Sequence, residues 1–386
     1  MKKGRKFSGL LWSKSFFIAW IVVALLAPFL ANDQAILIKD ASGIQFFPEV
    51  ITKDSKILLS PPIPYDASTL DLDNANAVGP FAQQQVSSTY YHHWLGTDGL
   101  GRDVLANLIH GSQTALFVGF GSMALAAIIG ILLGSLAAYF GDHKITIGRS
   151  RLFILVLLQI SFALIIFYAI PWDIASVLWS KKLGLLLSII SLNLSALLLM
   201  NYIMKKWEKK KSKLQGAYNI KLPVDLIISR VIEIMDALPL LFLIIALSAL
   251  LNPSITTVIV IIGISSWAGI ARYTRAETLK IMGLDYIEGA SALGFPAIKT
   301  IWSHILPNAI GPVLVSLSFG VAAAILIEAT LSFIGMGLST EAASWGKLIA
   351  EARVNYGAWW LAIFPGLAIF FTVLSCNILG DKVMDK

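Results

Sequence analysis

With a single cysteine, Cys376, set in an apolar run, this chain of 386 residues has no internal disulfide to rely on, and the thiol reads as a small packing residue. Charge is also scarce: Asp, Glu, Lys and Arg make up 14% of the residues, against about 25% in ordinary soluble domains. No Gly-x-x-x-x-Gly-Lys-Ser/Thr loop is present to cradle phosphates, which excludes productive nucleotide binding by that route. His-Glu-x-x-His and Gly-x-Ser-x-Gly are missing too, so the common hydrolytic sites have no counterpart. Gly99-x-Gly101 is not a dinucleotide fingerprint, because Val104 stands where the third glycine belongs.

Apolar surface, by contrast, is abundant. Hydrophobic residues make up 57% of the chain and mean hydropathy is +0.76, more than one soluble core can hide, so much of it must face lipid. A hydrocarbon layer of ~30 Å requires spans of about 20 residues. Such spans are predicted at 15–31, 114–140, 152–170, 183–204, 238–251, 255–270, 309–328 and 359–379. The fifth is short, and its helix is expected to begin near Val224. Threading eight spans brings the basic clusters to one side: Lys2, Lys3, Arg5 and Lys6, then Lys144, Arg149 and Arg151, then 205–213, then Arg272, Arg275 and Lys280. Both termini are therefore expected in the cytoplasm. These clusters account for the net charge of +7 without a nucleic-acid partner. The first apolar run is expected to be a retained anchor, since cleavage after Ala31 would put Phe29 where a small residue is wanted. His92, His93, His110, His143 and His304 do not converge on one side, and no metal site is expected from them.

Two punctuated stretches interrupt the apolar pattern. Glu288 to Leu293 offers a turn and a half of helix, Gly294 fits a left-handed cap, and Pro296 stops the helix. Ile287, Ala290 and Leu293 recur every three residues, which predicts a shared apolar face offered to a groove on another protein. In the outer segment 32–113, prolines at 61, 62 and 64 and a Ser, Asp, Asn and Gln-rich continuation read as loop with little regular structure. At His93 the character changes, and Gly96-Thr97-Asp98-Gly99-Leu100-Gly101-Arg102-Asp103 leads into an amphipathic helix. Asp98 or Asp103 suits a helix cap and Arg102 a tie to a carboxylate, so this string reads as structural. Within the spans the one clear acid is Glu328. Nineteen residues from Ala309 carry it about 29 Å across, so it is expected as a hydrated side chain at the outer helix end. The alternative is a contact for substrate or a delivering protein at the outer mouth.

These residues together resemble the permease subunits of ABC importers. Glu288, Ala290, Gly294, Leu306 and Pro307 occupy positions of that family's coupling-loop pattern, with Gly289 in place of Ala and His304 in place of Ile. The glycine is expected to weaken the short helix by about 1 kcal/mol. The string from Gly96 to Asp103 is similar to the signature preceding the second core helix of C-type peptide permease subunits. Leu331 to Gly337, Ser344-Trp345-Gly346, Phe364 to Ala368 and Asn377 to Asp381 resemble the same family.

The resemblance implies an all-α polytopic membrane protein: a six-helix type I ABC importer permease core, here with an inserted transmembrane hairpin that brings the total to about eight spans. The expected divisions are 1–31 (N-terminus and first helix), 32–113 (external), 114–140 (second helix), 141–222 (the insert) and 223–386 (core, with a cytoplasmic coupling loop at 271–308). It further implies a non-catalytic subunit for di- or oligopeptides in the bacterial cytoplasmic membrane. The implied partners are a homologous permease, two ABC ATPase subunits carrying ATP and Mg, and an external binding protein, with no cofactor on this chain. Ile287, Glu288, Gly289, Ala290, Leu293, Gly294, Leu306 and Pro307 would then meet the ATPase. An ion-coupled secondary carrier, or an importer of nickel complexes within the same family, are the alternatives.

Overall fold

A computed structural model describes residues 2–40, 43–46, 56–144, 146–148, 219–339 and 342–384, with single positions at 159, 191, 193, 195 and 202. The expected spans 152–170 and 183–204 and the basic turn at 205–213 lie outside the described residues, single positions apart. Helix α1 (Lys2–Leu25) is followed after Leu26 by a short α2 (Ala27–Leu30), with Pro28 in its first turn. The external segment then forms an antiparallel sheet in which β1 (Leu37–Asp40) lies between β2 (Gly43–Phe46) and β3 (Lys56–Leu59). The stretch 61–88, expected as loop with little regular structure, carries only one regular element, a 3-10 turn at Leu72–Asn74. Leu37-Ile38 and Ile57-Leu58-Leu59 are β-prone apolar pairs and runs, and Ile38 is fully buried.

Helix α3 (Val104–Phe140) is one continuous rod of 37 residues, about 55 Å long, joining the expected amphipathic start to the second span without a break. After it, Gly141 O accepts from Asp225 N at 3.4 Å, and Asp142 Oδ1 accepts from Leu226 N at 3.0 Å. Next to this contact, β4 (Thr146–Gly148) pairs antiparallel with β5 (Asn219–Lys221). Residues 141–148 and 219–226 thus lie side by side.

The fifth expected span is not one helix. Helices α4 (Val224–Ala237) and α5 (Leu240–Leu250) meet at an angle of 84°. Pro239 has no N–H to donate and holds Leu238 extended (φ −83°, ψ 127°), so the helix cannot pass through. Helix α6 (Ile255–Met282) begins at a Ser254 cap, whose Oγ accepts from Thr257 N at 3.0 Å. It runs twelve residues past the expected end at Ile270, since Arg272, Arg275 and Lys280 end the apolar run without ending the helix. Arg275 forks onto Asp225 with contacts of 2.5 and 2.6 Å, and Arg272 pairs with Asp236, which ties α6 to α4.

Helix α7 (Asp285–Ala292) is followed by α8 (Ala297–Thr300), a π turn at Ile301–Ile305 and α9 (Leu306–Ile334). The π turn sits just before Pro307, whose missing N–H interrupts the ordinary ladder. Helix α10 (Trp345–Ala352) and α11 (Trp360–Met384) complete the described chain. Among the described residues, four helical rods are long and apolar enough to cross a membrane: α3, α6, the α8–α9 rod and α11. The bent α4–α5 pair passes the same test jointly. Ile128, Phe242 and Phe370 point outward from these rods, as lipid-facing side chains do. Helices α3 and α6 approach to backbone contact: a Cβ on Gly134 would stand 2.4 Å from Ala271 O.

Candidate functional site

At one end of the bundle α7 protrudes as a short handle. Asp285 and Glu288 lie in its first turn, where the helix dipole favours acids, so it begins three residues before the expected start at Glu288. Gly294 adopts φ +77°, and Phe295 N bonds back to Ala290 O at 3.2 Å, which closes a Schellman cap. Ile287 is 3% exposed and Ala290 7%. Ile287 packs with Tyr139 of α3, Ile281 of α6, and Ile305, Leu306 and Ala309 of the next rod.

The expected shared face therefore splits. Ile287 and Ala290 root the handle in its own core, while Leu293 is 79% exposed. The helix ends at Ala292 and the left-handed turn at Gly294 follows, so the three-residue period no longer holds at Leu293. Glu288, Gly289, Gly294 and Pro307 are exposed and Leu306 is buried. Tyr286, Ile298 and Trp302 join Leu293 as exposed large apolar side chains around the handle. Sequence spacing missed these three because they belong to three different elements.

The signature 96–103 lies at the other end, where it holds segment 32–113 together. Asp103 Oδ1 accepts from Ala106 N at 2.6 Å and caps α3. Asp98 Oδ1 instead accepts from Leu100 N and Arg102 N, both at 2.8 Å, closing the turn. Thr97 Oγ1 donates to Asn74 O at 2.7 Å and accepts from Val78 N at 2.9 Å. Gly101 adopts φ +85°, and a Cβ there would fall 2.0 Å from Asp71 O, so only glycine fits. Gly96 sits against Val78 O in the same way.

His93, unassigned by spacing, lies fully buried beside this turn. Its Nδ1 is 2.8 Å from Asp103 Oδ2 and its Nε2 is 3.1 Å from Asp71 Oδ2, with Tyr65 stacked at 4.3 Å. Both ring nitrogens face acceptors, which makes the doubly protonated ring the fitting form. Burial pushes the imidazole pKa down, but hydrogen bonds and charge from Asp103 and Asp71 outweigh it, and the net shift is upward.

Glu351 of α10 lies beside Asp98. Burial, and then the Asp98 charge, push the Glu351 carboxyl up to about 7. Nearby Lys347 is pushed down to about 8, first by burial and then by Arg102.

Glu328 is not the hydrated helix-end acid expected from its depth. It is 2% exposed, and its Oε1 accepts from Ser332 Oγ and Ser344 Oγ, each at 2.8 Å. Ser344 Oγ in turn accepts from Gly346 N at 3.1 Å, so Glu328 latches α10 onto α9. Trp345 Nε1 donates to Leu108 O at 3.0 Å, which binds α10 to α3, and Trp360 Nε1 donates to Thr97 O at 3.1 Å, which binds α11 to the signature. His110 bonds Ala31 O at 2.8 Å, and His304 lies beside Phe295 in the handle, far along the chain from His93.

The described residues thus form a polytopic helical bundle with a capped handle at one end and a glycine-dependent knot at the other. Residues 214–385 match the family described as binding-protein-dependent transport system inner membrane component. The chain is 27% identical over 295 residues to the dipeptide transport system permease protein of Bacillus subtilis, covering 76% of this chain and 67% of that one. It is 28% identical over 293 residues to the di/tripeptide transport system permease protein of Pseudomonas aeruginosa, covering 75% and 70%. It is also 28% identical over 325 residues to the glutathione transport system permease protein of Pectobacterium atrosepticum, covering 84% and 78%. The chain is thus similar, over residues 214–385, to that family and, over three quarters of its length, to permease components of peptide ABC transporters, and its long apolar helices are those of a multi-pass membrane protein.

Proposed function

We propose that this chain is a permease subunit of an ATP-driven importer of di- or oligopeptides, and that the α7 handle receives the stroke of a partner ATPase. The observation that carries this reading is an exposed apolar cluster, Tyr286, Leu293, Ile298 and Trp302, on a handle whose root is buried against three long helices. Exposed apolar side chains of this size fit a groove on another protein. The substrate class follows the relatives, which are permeases of dipeptide, di/tripeptide and glutathione transport systems. Two ATPases, a homologous permease and an external binding protein complete the assembly. The positive-inside rule puts the handle and both termini in the cytoplasm. Binding of nucleotide drives transport only through a difference in affinity between the inward and outward states.

The test is Leu293→Asp in the assembled transporter. Leu293 makes little contact with its own chain, so membrane insertion is preserved, whereas burying an aspartate in an ATPase groove costs several kcal/mol. Peptide uptake is expected to fall by more than about tenfold, with ATPase copurification weakened. Unchanged uptake and full ATPase retention would refute the handle's role. Ala290→Arg is the poorer probe, since Ala290 packs inward and its loss would disturb the core.

A further inference from the structure

The break between α4 and α5 opens a cavity of 470 Å³, lined by Asp236, Pro239, Leu240, Ser265, Ser266 and Ser316 among others. It lies about 15 Å along α6 from its Ser254 cap, near the middle of the bundle, where a broken helix is tolerated only if it lines a polar cavity or packs in protein. Two independent features of its wall are donors without acceptors. Helix α5 has no side-chain cap, because its N-cap is Pro239, and its first intrahelical bond is Leu243 N to Pro239 O at 3.1 Å. The N–H groups of Leu240, Leu241 and Phe242 therefore present the positive end of the helix to the break. Ser265 Oγ, on a residue only 6% exposed, lines the same cavity and has no hydrogen-bond partner. Thr274, one helix segment further on, bonds back to Ile270 O at 2.9 Å, the ordinary resting place of a helix hydroxyl.

Helix N-terminal amides and a hydroxyl donor together suit a carboxylate. The one acid on the wall, Asp236, is paired with Arg272 and does not set the sign of the field. The volume suits a dipeptide-sized solute. We infer that this cavity is a subsite on the translocation path that takes the C-terminal carboxylate of the transported peptide on the α5 amides and Ser265 Oγ. The inference rests on the peptide-import reading and deepens it.

The test uses the assembled transporter in proteoliposomes, with Cys376→Ser removing the single native thiol. Ser265→Cys on that background is expected to react with a small cationic thiosulfonate during turnover. Millimolar dipeptide with a free carboxyl should slow the reaction about tenfold, and the C-terminal amide of the same dipeptide should not. In parallel, Ser265→Ala is expected to lower dipeptide uptake about tenfold, the size of a lost hydrogen bond to a charged group, and Ser265→Thr to restore it. Failure of the reagent to reach the thiol, equal protection by acid and amide, or wild-type uptake by Ser265→Ala overturns the subsite. A wild-type complex that imports no dipeptide overturns the peptide reading itself, and that control is read before any variant.

Discussion

Replacing His93 tests whether the external segment is held by a charged clamp or by packing alone. In the structure the ring bridges Asp103, which is 1% exposed, and Asp71, at 2.8 and 3.1 Å. His93→Gln keeps polarity and much of the volume but leaves the buried Asp103 carboxylate without its counter-charge. Removing one partner from a buried pair typically costs about 3–5 kcal/mol, so the external segment should loosen markedly. Asp103→Asn added to His93→Gln removes the stranded charge, and Asn caps a helix about as well as Asp. The double variant should therefore recover all but about 1 kcal/mol. The pH sign follows from the raised histidine pKa. A base whose folded pKa lies above its ordinary value of 6.5 stabilises the fold fully below that value, and the contribution is lost as pH rises through the folded pKa. Wild type should thus lose stability from neutral toward alkaline pH, and His93→Gln should not. Thermal unfolding in detergent between pH 5.5 and 9, with limited proteolysis of 32–113, reads both effects. A single variant as resistant as wild type, or a double variant no better than the single, would refute the clamp.

Gly101→Ala should cost at least about 3 kcal/mol, since a left-handed φ penalises Ala by about 1–2 kcal/mol and the new methyl meets a backbone oxygen that cannot move freely. Trypsin digestion of the external segment checks it, and wild-type resistance would count against the knot. Glu351→Gln should flatten the pH dependence between about 4.5 and 7. An acid whose folded pKa is raised to about 7 favours the protonated fold, so wild-type stability falls as pH climbs through that window and levels above it. Up to roughly 2 kcal/mol is at stake after allowing for partial exposure, and melting at pH 5 and pH 8 decides it.

Much of the membrane architecture was legible because hydropathy acts over whole helices: the rods α3, α6, α9 and α11 lie where apolar runs predicted them. What failed did so locally. The end of an apolar run was not the end of α6, since Arg and Lys propagate a helix as well as apolar residues do. One helix was expected from near Val224 through Leu251, and the backbone turns by 84° at Leu238-Pro239. Periodicity grouped Leu293 with Ile287 and Ala290 because spacing assumes that a helix continues, and this one stops at Ala292. The position of Glu328 along its helix does not report its neighbours, and two serines 4 and 16 residues away bury it. The clamp on His93 joins residues 10 and 22 apart with no local pattern, so no reading of spacing could have found it.

The two ends of the molecule are mechanically one object through α3. Its first turn is capped by Asp103 inside the outer knot, and Tyr139 in its last turn packs in the cluster that seats Ile287 of the handle. Between them, Gly134 lets α6 press its backbone against α3, and α6 ends at Met282, three residues before the handle begins. A displacement of the handle has little soft structure in which to dissipate, because close-packed helices shift as bodies and do not deform continuously. In the mechanism proposed above the chain bends at the α4–α5 break, where α5 has no side-chain cap, while the Asp225–Arg275 and Asp236–Arg272 pairs tie α4 to α6. Motion of α6 therefore bears directly on the walls of the mid-bundle cavity. On that proposal the α3–α6 pair moves as one body and the bend falls at Pro239.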